Sequence, residues 1–133
     1  MPKLPIRTLN AYMGELRSRL CGGGGILHQR FSIAHWLFDG ETALERAELM
    51  DERRAQHGHA DAAFQIVMCE LDSVGFNPRA GFSEDNMATA LTRAEAKMSD
   101  DQRSVFGAVK AEVESVIRSL NAEVAAGQGR RKA

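Results

Sequence analysis

Residues 100–126, DDQRSVFGAVKAEVESVIRSLNAEVAA, contain the pattern that decides the fold class. Their apolar residues recur at alternating intervals of three and four, which is the spacing of one face of an α-helix. Ser99 and Gln102 stand at the spacing of a capping box, which marks the start of this helix. The sequence therefore predicts a long helix with one apolar seam, formed by Phe106, Val109, Val113, Val116 and Leu120.

Helical spacing of apolar residues also occurs through most of the chain that precedes this segment. It predicts helices over 6–20, 26–38, 41–56, 61–74 and 84–98, the last with Ser83 as its N-cap. Four breaks are predicted between them, at the glycines 22–25, at Asp39-Gly40, at His57-Gly58-His59 and over the loop 75–82. No segment alternates with a period of two. The prediction is an all-α fold, a compact helical bundle of five or six helices with a Gly-rich hinge after the first.

Length and composition predict one soluble globular domain. The chain has 133 residues, of which 44% are hydrophobic and 26% charged, as in ordinary globular proteins. We expect a single helical domain over 1–127 and a basic flexible tail over 128–133. The net charge of -1 argues against a dedicated polyanion-binding protein, which would need a strongly basic face.

The N-terminus and the cysteines predict a cytoplasmic protein. Neither an uninterrupted apolar run of signal-peptide length nor a membrane-spanning run is present, so no membrane association is expected. In that compartment Cys21 and Cys69 are expected to be free thiols. Cys69 follows Met68 in an apolar helical segment, which predicts a small buried hydrophobic residue.

No motif in the sequence predicts catalysis, a cofactor or a metal. The glycines 22–25 are followed by Ile26 rather than by the lysine of a phosphate-binding loop. His28 and His35 are seven residues apart, too far along a helix to share one ion. His57 and His59 lack a third ligand at a recognisable spacing. We therefore expect a non-enzymatic protein without a cofactor.

Trp36 is the most informative single residue. On a helical wheel it points away from the apolar stripe of segment 26–38 and shares a polar face with Gln29, Ser32 and His35. A tryptophan on a polar arc is typical of an interface, because it offers a large contact area at a low cost in entropy. These four residues form the predicted partner-binding site. The alternative is that another helix of the same domain covers Trp36.

A cluster of arginines favours a second interpretation. The first 40 residues carry five basic and two acidic residues, a local net charge of +3. The candidate nucleic-acid contacts are Arg7, Arg17, Arg19 and Arg30. A helix–turn–helix at 84–126 is disfavoured, because Asp100 and Asp101 open its second helix and would repel phosphates.

The leading hypothesis is a small helical regulator or inhibitor that docks on a protein or nucleoprotein target. Arginine outnumbers lysine 13 to 4, which suggests a GC-rich bacterial, phage or mobile-element genome. An anti-CRISPR-type inhibitor is one example of such a protein. The alternative is a DNA-associated regulatory protein that binds through the basic N-terminal 40 residues. The seam of residues 100–126 is a candidate homodimer contact, with packing inside the bundle as its alternative.

Overall fold

The computed structural model describes residues 8–21 and 42–131. This part of the chain forms four helices: α1 (Leu9–Cys21), α2 (Ala43–Ser73), α3 (Glu84–Ala96) and α4 (Asp100–Arg131). Within the described residues β-structure is limited to an isolated bridge between Asn77 and Gly81. The all-α prediction is confirmed, whereas five or six helices are not. The predicted glycine hinge at 22–25 and the predicted helix at 26–38 lie outside the described residues.

The predicted break at His57-Gly58-His59 is wrong, because α2 runs without interruption from Ala43 to Ser73. A glycine inside a helix costs only about 1 kcal/mol relative to alanine. Ala55, Gln56 and Ala60 nearby are good helix formers, and from Ala60 onward α2 is held by buried contacts such as those of Phe64. Packing of the second half of α2 and helix propensity in the first half together outweigh the cost of Gly58.

Replacing Gly58 by alanine is therefore expected to stabilise the protein by about 1 kcal/mol. A Cβ at this position would have no atom within 4 Å outside its own helix, so the methyl group meets no steric resistance. Thermal unfolding followed by circular dichroism would test this as an increase in Tm of about 3–5 °C. A decrease in Tm would show that α2 needs a flexible point here.

The helix ends follow the local signals in the sequence. The side chain of Ser83 accepts a hydrogen bond from Asn86 N at 3.1 Å, which confirms the predicted N-cap of α3. Ser99 and Gln102 form both bonds of the predicted capping box, at 3.2 and 2.9 Å. Thr42 caps α2 in the same way by accepting from Glu45 N at 3.1 Å. These local hydrogen bonds fix where α2, α3 and α4 start.

The core lies between the second half of α2, α3 and α4, and α1 covers one side of α4. The seam predicted on the last helix is buried in this core. The sequence made this seam a candidate homodimer contact. Its five side chains instead face the other helices of the same molecule: Phe106, Val109, Val113, Val116 and Leu120. The described fold uses the seam for internal packing, so a second copy could reach it only if the bundle opened.

Helix α4 is about one turn longer than the sequence predicts. It ends at Arg131, so four residues of the expected flexible tail, 128–131, continue the helix. Residues 132 and 133 lie outside the described part.

Candidate functional site

The first half of α2 contributes no described side chain to the core. We define the projecting segment as residues 43–55, the first three and a half turns of α2. Side chains are described at all positions of this segment except 46, 50 and 53, and every one of them is exposed. Leu44 is 69% exposed and Leu49 is 37% exposed, the exposed large hydrophobic side chains of the described residues. Among the described side chains of α2, that of Ala60 is the first to be buried.

Local interactions at its N-terminus and continuity with the packed half of α2 explain why the projecting segment is helical. The cap at Thr42 satisfies one of the otherwise unpaired amide groups of the first turn, and Glu45 is favourable beside the positive end of the helix dipole. A salt bridge on its surface joins Arg54 Nη1 to Asp51 Oδ1 at 3.3 Å. An exposed ion pair of this kind contributes little stability. The segment is therefore held as a helix mainly by the part of α2 that packs in the bundle.

The four predicted partner-binding residues, Gln29, Ser32, His35 and Trp36, lie outside the described residues. The projecting segment begins seven positions after Trp36 in the chain. The sequence predicts a narrow apolar seam on this segment, formed by Ala43, Leu44, Ala47 and Met50. Its described side chains, those of Ala43, Leu44 and Ala47, are all exposed.

Among the candidate nucleic-acid contacts, Arg19 is already engaged inside the molecule. Its guanidinium group donates to both carboxylate oxygens of Glu123 on α4, at 2.6 and 2.9 Å, and to Glu15 at 3.0 Å. The hydrogen bonds to Glu123 raise the pKa of Arg19 above its ordinary value. Arg19 therefore ties α1 to α4, and its two carboxylate partners would oppose the approach of a phosphate.

The other three arginines of that set differ in what the structure describes. Arg17 is exposed on α1, whereas Arg7 and Arg30 lie outside the described residues. The described part of the predicted basic surface is therefore reduced to one exposed arginine.

The charged residues that flank the α4 seam also act within the molecule. Arg118 donates to Glu84 of α3 at 2.9 Å and to Glu114 of α4 at 3.3 Å, and the hydrogen bond to Glu84 raises its pKa. With Glu123 bound to Arg19, these residues join helices of one chain.

A polar cluster around Asn121 joins α1, α4 and the loop between α2 and α3. Its side-chain amide pairs with both backbone groups of Phe82: Phe82 N donates to Oδ1 at 3.1 Å and Nδ2 donates to Phe82 O at 2.7 Å. The hydroxyl of Tyr12 donates to the same Oδ1 at 2.8 Å and lies 3.2 Å from the carbonyl oxygen of Ile117. We call these three residues, Tyr12, Phe82 and Asn121, the Asn121 clamp.

Aromatic packing surrounds the Asn121 clamp. The rings of Tyr12, Phe76 and Phe82 stand edge to face, with all three centroid distances at 5.2 Å. Burial of Tyr12 raises the pKa of its hydroxyl, with the charge of Arg19 as an opposing influence. Sequence reasoning missed this cluster. Its members are separated by up to 109 positions, and residue spacing along the sequence does not predict a contact between such distant residues.

The loop between α2 and α3 holds the backbone of Phe82 against the side chain of Asn121. Asn77 and Gly81 pair through two backbone hydrogen bonds of 2.9 and 2.7 Å, and Asn77 Oδ1 accepts from Arg79 N at 2.8 Å. Gly81 has a φ of +83°, a left-handed conformation that other residues adopt at a cost. The Gly81 backbone also passes directly beside the Asn121 side chain. The loop therefore needs glycine at this position both for its conformation and for the close approach.

The prediction that Cys69 is buried is wrong, because its side chain is exposed. The helical register turns position 69 away from Met68 and Leu71, which face the core. The neighbouring Glu70 is instead 5% exposed and forms a salt bridge with Lys97 at the end of α3. Pairing with a lysine that reaches it from the surface satisfies this buried carboxylate.

The two free thiols are expected to differ in reactivity with pH. Burial, with a further contribution from the nearby charge of Asp61, raises the pKa of Cys21 to about 11, while the charge of Arg17 acts in the opposite direction. The thiolate is the reactive form, so at pH 8 only about 0.1% of Cys21 is reactive. Alkylation with iodoacetamide and peptide mass mapping should find Cys69 modified first at pH 8. Alkylation of Cys21 should rise about tenfold per pH unit up to pH 10, and equal rates at pH 8 would contradict this assignment.

The described histidines do not gather with other metal-binding side chains. His59 Nε2 lies 3.9 Å from Asp101 Oδ2, and in the described ranges 8–21 and 42–131 no three His, Cys, Asp or Glu residues are placed to hold a metal ion. His28 and His35 are not among the described residues.

Comparison with known proteins returns no relative: no family model, no curated protein and no solved structure matches the chain. In the four described helices, no stretch is both long and apolar enough to cross a membrane.

Proposed function

We propose that this protein is a non-enzymatic regulator or inhibitor that docks on a protein or nucleoprotein target through the projecting segment of α2. The observation that supports the proposal is a helix of three and a half turns in which every described side chain is exposed, with Leu44 at 69%. The segment adds nothing described to the core, so its sequence is free to serve a partner. Exposed helices of this kind are recognised by grooves on other proteins.

The rest of the molecule supplies a rigid base for this helix. The second half of α2 is fixed between α3 and α4, with Ala63, Phe64 and Leu71 fully buried. A docking helix that is anchored at one end loses little conformational entropy on binding, which favours affinity. An origin in a phage or mobile element, with an anti-CRISPR-type inhibitor as one example, belongs to the same proposal and rests on composition.

A pull-down with the tagged full-length chain tests the proposal. The bait is incubated with lysate of the native host, with and without nuclease, and bound proteins are identified by mass spectrometry. A stoichiometric protein partner should survive nuclease and be lost from Leu44→Asp, because a carboxylate replaces the apolar contact. Thr92→Asp, an exposed position on α3, adds the same charge and should retain the partner.

Two results would overturn the proposal. Equal binding of the partner by Leu44→Asp and by the unaltered chain would place the docking surface elsewhere. Partners that disappear on nuclease treatment would favour the DNA-associated alternative, with Arg17 as its first residue to test.

A further inference from the structure

We draw no further inference here: the strongest candidate, the exposed surface around Leu44 on the projecting segment of α2, belongs to the docking site already proposed, and nothing in the described residues shows what covers it.

Discussion

Asn121→Ala is expected to lower the free energy of unfolding by about 3 kcal/mol. The substitution removes the bonds to Phe82 N and Phe82 O and one partner of the Tyr12 hydroxyl. Phe82 is buried, so its two backbone groups would lose their partners where water has little access. Each unpaired buried group costs about 1–3 kcal/mol, and Tyr12 keeps the carbonyl of Ile117 as a second partner.

Urea unfolding of the variant measures this loss. Ser119→Ala is the matched control, because it changes an exposed position of the same helix and should alter the unfolding free energy by less than about 0.5 kcal/mol. Tyr12→Phe should cost about 1 kcal/mol, since it removes one donor and keeps the aromatic packing. A loss below about 1 kcal/mol in Asn121→Ala would show that the Asn121 clamp contributes little to the fold.

Gly81→Ala is expected to cost about 4 kcal/mol, at least as much as the loss of Asn121 itself. Two physical effects add up here. The φ of +83° is strained for a residue with a side chain, and a Cβ would lie 1.9 Å from Asn121 Oδ1 and 2.8 Å from Asn121 Cγ. The Asn121 side chain would have to move away, and its bonds to Phe82 would break.

A double-mutant cycle separates the two effects. In the Asn121→Ala background the contact is absent, so Gly81→Ala should cost about 2 kcal/mol, mainly through backbone strain. Gly107→Ala is the control: this glycine lies within α4, and a Cβ there would have no neighbour within 4 Å outside the helix. Gly107→Ala should raise stability. Additive effects of the Gly81 and Asn121 substitutions would contradict the described contact.

Local signals in the sequence predicted much of the fold. The seam on α4, the cap at Ser83 and the box at Ser99 and Gln102 are each encoded within a few residues, so their spacing alone identifies them. The break predicted at Gly58 is wrong because the free-energy cost of a glycine in a helix is smaller than the stabilisation from packing of the second half of α2.

The candidate site depends on contacts that no local spacing reveals. Leu44 lies on a predicted apolar seam in the sequence, and only the placement of α2 relative to the bundle shows that its side chain is exposed. No sequence motif marks Asn121, which lies next to Leu120 of the α4 seam. Its side chain nevertheless binds Phe82, 39 positions away, and Tyr12, 109 positions away. From the sequence Arg19 is a free positive charge, because its carboxylate partner Glu123 lies 104 positions away along the chain.

Site-specific photo-crosslinking in the native host tests the central claim most directly. A photoreactive amino acid is placed at position 44 of the projecting segment and, as a control, at position 92 on α3, both exposed. Docking through the segment predicts one discrete protein adduct from position 44 that resists nuclease, and none from position 92. Adducts of equal yield from both positions, or an adduct from position 92 alone, would contradict docking through the first half of α2.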